Sequence, residues 1–504
     1  MVAVMLFLGF FAVQSVPRPP EPGTALLVAA AFAVVLALIA YLINRLAVRQ
    51  LFRRSVRAVE RRQTAMLAEA AVRMLLTAAF IAAFLFSSLP WALDRGFGWH
   101  TSGPLPAQLI GLALYFIYFI CAWLPLYGLH RAVTPGRWTR WSFLANKIRY
   151  NLYFLVAWVP FTLFSEWLAN FLIALPLIFI LAAWSFPWVL AKLWGCKPLS
   201  DPDTLNLVAD LEKKAGAKFS RTFIWEPGGG NVQNAAAVGV FRPFRYLFLT
   251  PALLRNMNRD ELSGVILHEL GHVRHKHLLF YMFTTLAGVN LAVLAAELLP
   301  LQTDMEMFAV IAILVILYFR FAFGWLSRTM ERQADLFSLE KSGSASGLVN
   351  ALEKLALSAG NIRLAASWHH LGIAERVRFL REAELNPRVG ARHNRLAGNK
   401  RFIGYALSIF LLAMMATMYY DDAATPGSFP TRDFARRPAH WRRVMELLPA
   451  SPVGPLELAY SLSRDPGRKE EAIRLAARAI DLSCLKEERE AAEKLIENLT
   501  EESP

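Results

Sequence analysis

Cysteine is scarce in this 504-residue chain: three residues, Cys121, Cys196 and Cys484, stand far apart. No C-x-x-C pair exists, which excludes a disulfide scaffold and a cysteine-based zinc site. Charge is scarce too. Charged residues make up 18% of the chain, against about 25% in ordinary soluble domains. Acidic residues are the rarer sign, 39 against 54 Lys+Arg, which leaves a net charge of +15. With 56% hydrophobic residues, this composition excludes a disordered chain, a coiled coil and an ordinary soluble enzyme. It fits a polytopic membrane protein that also carries a soluble part.

Long apolar runs are plentiful. Val2 to Val16 and Thr24 to Ile43 read as the first two spans, and about 20 apolar residues suffice to cross the hydrocarbon core. Val72 to Leu93 and Ala107 to Leu129 follow. Tyr150 to Trp194 is too long for one span and divides near Glu166 into a hairpin. The N-terminal region 1–195 therefore holds about six spans. Arginines cluster in two loops: Arg45, Arg49, Arg53, Arg54, Arg57, Arg61 and Arg62 in one, and Arg131, Arg137, Arg140 and Arg149 with Lys147 in the other. Basic loops flanking spans read as cytoplasmic. Such placement rejects a nucleic-acid binder, which would gather its charge on one soluble patch.

From 196 to 400 the composition becomes soluble, apart from a transmembrane hairpin at about 278–326. Leu205, Val208 and Leu211 have helical spacing, and the segments at 221–225, 232–240 and 246–250 are strand-like. A last candidate span lies at 401–420. The tail, 421–504, holds amphipathic helices, and Leu456 to Ser483 resembles one tetratricopeptide-type unit. Two readings of the tail stay open, packing against the body and binding of a protein partner.

The sharpest local signal is His268-Glu269-Leu270-Gly271-His272. A spacing of four puts both imidazoles on one helix face, within reach of one ion. Neutral histidine suits Zn²⁺, which lowers the pKa of bound water to about 7. Glu269 would take that water's proton. The longer H-E-x-x-H-x-x-G-x-x-H pattern is absent, because positions 275 and 278 are His and Leu. His275 and His277 read as solvated groups or as groups behind the ligands. A third ligand is available in Glu331, because a hairpin returns the chain to the same membrane face. Asp335, one turn further on, is placed to accept the N–H of a ligand histidine. Asn234 and Ala235 open a small-residue strand against which an extended substrate could pair.

H-E-L-G-H, then an apolar hairpin, then E-x-Q-A-D, resembles the membrane zinc metallopeptidases that include type 1 CAAX prenyl proteases and the HtpX heat-shock protease. The resemblance covers about 201–382. Asn234-Ala235-Ala236-Ala237-Val238-Gly239 is similar to the family's N-A-x-x-x-G strand, which borders the substrate cleft. Ser367 to Arg376 is similar to its S-x-x-H-P-x-x-x-E-R segment, with Leu371 in place of proline. The resemblance implies an oxyanion role for His370 and aligns Arg376 with the family's arginine.

The expected fold is thus a multi-pass α-helical membrane protein with an inserted α+β zincin-type metallopeptidase domain and a helical, tetratricopeptide-like tail. The expected activity is that of a zinc-dependent endopeptidase with one Zn²⁺ per chain. Its site would face the cytoplasm from the cell membrane, and its substrates would be membrane-associated proteins or peptides. Quality control or processing is the favoured task. Prenyl-protein cleavage and a silent scaffold are the alternatives.

Overall fold

The computed structural model describes residues 22–52, 58–87, 105–133, 138–152, 174–227, 232–299, 304–358, 371–423, 445, 453–463, 468–482 and 486–501. The expected first span and the hairpin division at Glu166 lie outside them. Five described helices are long and apolar enough to cross a membrane: Pro22–Phe52, Thr64–Ala83, Leu109–Val133, His277–Ala296 and Val310–Ser342. The protein is a mostly helical, multi-pass membrane protein.

Helices α1 (Pro22–Phe52), α2 (Ala58–Ser87) and α3 (Leu105–Trp123) pack together. The buried face of α1 is a stripe of Ala25, Ala29, Ala33, Leu36, Ala40, Ala47 and Leu51. Their three- and four-residue spacing makes one helical face, and alanines there let neighbouring backbones approach closely. Tyr118 of α3 donates its hydroxyl to the Ala29 carbonyl at 2.6 Å. The opposite face of α1 exposes Leu27, Leu38 and Leu42, as a lipid-facing surface requires.

Past residue 196 the chain builds a four-stranded sheet beside helices. The strands are β1 (Lys197–Pro198), β2 (Arg221–Ile224), β3 (Ala235–Val238) and β4 (Tyr246–Leu249). Their order is β1-β2-β4-β3, with β2 and β4 parallel and the other pairs antiparallel. β4 is central and wholly buried, while β3 is an edge. Helix α4 (Pro202–Ala215) and helix α5 (Arg259–Arg274) share an apolar core with Leu247 and Leu249. A reciprocal cap starts α5: the Asn258 side chain accepts from Glu261 N–H, and the Glu261 side chain accepts from Asn258 N–H.

The apolar hairpin consists of α6 (His277–Glu297) and α7 (Asp304–Leu317). α7 does not end at the membrane part. It passes through a π-helical segment, Tyr318–Phe323, into α8 (Gly324–Ser342) with helical backbone at both junctions. One helical rod therefore carries the apolar stretch and Glu331. α8 lies against α5 at Gly271, where an added Cβ would come 3.1 Å from Ala334 Cα. Helices α9 (Ser346–Ser358), α10 (Ile373–Leu385) and α11 (Pro387–Ala423) follow, and the candidate span 401–420 lies within α11.

The chain divides into two compact units, residues 1–299 with 308–413 and residues 300–307 with 414–504. In the second, Val453–Leu462, Lys469–Leu482 and Lys486–Glu501 are helices packed in sequence. Ala472, Ala476 and Ala479 are buried between them.

Candidate metal centre

α5 presents His268 and His272 one turn apart, and α8 brings Glu331 to the same point. The two Nε2 atoms are 3.3 Å apart. Glu331 Oε2 is 3.9 Å from His268 Nε2, and Oε1 is 3.5 Å from His272 Nε2. Donors bound tetrahedrally to zinc at about 2.0–2.2 Å stand roughly 3.3–3.5 Å from one another.

The far sides of both rings decide what belongs between them. His268 Nδ1 is 2.9 Å from Asp335 Oδ1, so Nδ1 carries the proton and Nε2 offers a lone pair. Asp335 is fully buried and receives a forked pair of bonds from Arg376, at 2.9 Å from Nε and 2.6 Å from Nη2. His272 Nδ1 meets His277 Nδ1 at 3.0 Å. Burial pushes the His272 imidazole down to about 4, despite the Glu331 carboxylate beside it. Two ring nitrogens and a carboxylate thus converge on one point, an arrangement that suits a cation.

The descriptions of family and relatives agree with this geometry. Residues 202–393 match the model of peptidase family M48. This stretch is similar to the M48 peptidases. A Protease HtpX homolog of Desulfatibacillum aliphaticivorans is 29% identical over 202 residues, covering 36% of this chain and 63% of that protein. A Protease HtpX homolog of Gemmatimonas aurantiaca is 31% identical over 177 residues, covering 33% and 61%. The chain spans about three fifths of the length of these relatives. Among solved structures, the crystal structure of S. mikatae Ste24p is similar at 17% identity and a TM-score of 0.49, covering 72% of this chain and 100% of that one.

Within this stretch Glu269 points towards the sheet. Its Oε2 accepts from Ala237 N–H at 2.7 Å. Burial pushes its carboxyl up, against the pull of His268 and of that amide. The same bond fixes which edge-strand groups face outward. Asn234 N–H donates to Thr250 Oγ1 at 2.9 Å, and Thr250 N–H donates to the Asn234 carbonyl at 3.1 Å. Both backbone groups of Asn234 thus turn into the sheet. Strand residues alternate in direction. Ala235 therefore faces outward with Ala237, whose N–H is already committed to Glu269.

Burial opposes protonation of His268, but the Asp335 hydrogen bond and the Asp335 and Glu331 charges outweigh it and raise its pKa. Asp335 also keeps Arg376 charged in spite of burial, and Arg376 Nη1 lies 3.8 Å from Glu331 Oε2. His370 lies outside the described residues. His275 is half-buried, stacked on His277 and edge-on to Phe337. His277 is fully buried. Sequence reasoning left His277 open between a solvated group and a group behind the ligands, and it passed over Gln333 and Asn394. The one available signal was the five-residue interval from His272 to His277, in which Lys276 takes the left-handed conformation (φ 55°).

Proposed function

We propose that the chain is an integral membrane zinc-dependent endopeptidase, with His268, His272 and Glu331 holding one Zn²⁺ and Glu269 acting as general base. The observation that carries this is the convergence of two histidine nitrogens and a carboxylate beside a second carboxylate tethered to an edge strand. When bound there, zinc would lower the pKa of a water and polarise a peptide carbonyl. Glu269 then has a definite task. Ala237 N–H holds one carboxylate oxygen in place, which leaves the other to accept the water's proton and pass it to the leaving amine. Asp335 orients His268, and Arg376 neutralises Asp335. Ala235 and the Ala237 carbonyl offer backbone groups to an extended substrate, with the Asn234 side chain at the start of the strand. The sheet and helices of 196–400 are read as an α+β zincin-type domain interrupted by the hairpin, and His370 as the oxyanion donor.

The two arginine-rich loops support a site facing the cytoplasm from the cell membrane. The substrates are read as membrane-associated proteins cleaved for quality control or processing, and the tail helices as a unit open to a protein partner. Glu269→Gln tests the assignment. The variant should keep zinc and lose about 10²–10⁴-fold in proteolysis. Undiminished cleavage would remove Glu269 as the base. Mass spectrometry of proteins trapped on this variant names the substrates.

A further inference from the structure

His277 touches no substrate-facing surface, yet it is fully buried and its ring nitrogens have polar partners on both sides. Nδ1 is 3.0 Å from His272 Nδ1, and Nε2 is 3.0 Å from Gln333 Oε1. The contacts continue outward. Gln333 Nε2 donates to Asn394 Oδ1 at 3.3 Å, and Asn394 Nδ2 donates to Glu340 Oε1 at 2.9 Å. Gln333 is buried, Asn394 half-buried and Glu340 exposed.

Each link fixes the direction of the next. To serve as a ligand beside His268 and Glu331, His272 Nε2 must be bare, so on that reading a neutral His272 ring carries its one proton on Nδ1. That N–H donates to His277 Nδ1, which must therefore be the bare nitrogen of its ring. The His277 proton then sits on Nε2 and donates to the Gln333 carbonyl oxygen. This leaves the Gln333 amide as donor to Asn394, and the Asn394 amide as donor to a carboxylate, which can only accept. Every dipole points the same way, from His272 to Glu340.

We infer that His277 is a positioning residue for His272, and that Gln333, Asn394 and Glu340 extend it into a one-way hydrogen-bond relay that fixes the ring's orientation and its proton-free Nε2. The relay spans four elements: His272 in α5, His277 at the start of α6, Gln333 and Glu340 in α8, and Asn394 in α11. Lys276 makes it reachable. Its left-handed backbone ends α5 and turns the chain so that the next residue comes back beneath His272.

The inference rests on the zinc-ligand reading, so both are tested in one experiment on the full chain in detergent, by zinc titration against a chromophoric chelator. His272→Ala and Glu331→Ala should abolish tight zinc binding, and wild-type affinity in either would sink the ligand assignment itself. With those controls in hand, His277→Ala should weaken zinc by about 10- to 100-fold, and unchanged affinity would overturn the relay alone. Two further variants separate positioning from packing. In His277→Asn the amide oxygen can stand where Nδ1 stood and accept from His272. In His277→Gln the polar group reaches only to where Nε2 stood. Asparagine should therefore restore most of the lost affinity and glutamine little. If glutamine equals or exceeds asparagine, His277 is packing and the inference fails, even should the alanine variant not fold.

Discussion

His268 and His272 stand one helical turn apart and aim at the same point, but they are held by opposite chemistry. Behind His268 is a charged clamp, a buried carboxylate in direct contact and closed by a forked arginine. Behind His272 is a chain of neutral groups that reaches a carboxylate only at the surface. Charge balance gives the reason. Glu269, Glu331 and Asp335 are already three carboxylates in one pocket, which Arg376 and a bound dication would balance. A fourth buried carboxylate behind His272 would have no counter-charge, and an unpaired buried charge costs several kcal/mol. The relay supplies the same polarity while its one charge, on Glu340, stays in water.

The largest test of this contrast lies at the clamp. Asp335→Ala takes the acceptor from His268 and removes the forked partner of the buried Arg376. Losing one partner of such a pair costs about 3–5 kcal/mol. The expected outcome is a marked fall in the unfolding midpoint together with loss of zinc, measured by thermal unfolding and metal analysis. A variant of wild-type stability would mean that the clamp is not what holds this corner together. The relay predicts a smaller and different penalty. Asn394→Ala interrupts it without burying a charge, so the cost should be that of a hydrogen bond, about 0.5–1.5 kcal/mol. Zinc should weaken by about 2- to 12-fold at nearly unchanged stability. A loss as large as that of Asp335→Ala would erase the distinction between the two supports.

The same contrast marks what the sequence could disclose. The clamp side was legible. A spacing of four gives two imidazoles on one face, and an apolar hairpin returns the chain to bring Glu331 back. Asp335 follows Glu331 by one turn, so local periodicity places it. The relay side depends on tertiary contacts. Gln333 and Asn394 are 61 residues apart and meet only because α11 packs along α8, and no local period announces that. His277 was visible as a histidine near the motif, but its direction depends on one left-handed residue, Lys276. The edge strand divides in the same way. Its small residues were readable, whereas the inward turn of Asn234 depends on a partner 16 residues away, Thr250. The apolar spans were the easiest to read, since length and composition define them.

The far end of the relay gives the smallest effect and the finest discrimination. Glu340→Gln keeps the size of the side chain and an oxygen to accept from Asn394, and removes only an exposed charge. Exposed charges contribute about 0.2–1 kcal/mol, so zinc affinity should fall by no more than about fivefold. Salt screens an exposed charge but not a buried pair. The difference between wild type and Glu340→Gln should therefore shrink as ionic strength rises, whereas the deficit of Asp335→Ala should persist. Zinc competition at low and high salt reads both. If the Glu340→Gln deficit is insensitive to salt, the carboxylate does not act through its charge, and the relay ends at Asn394.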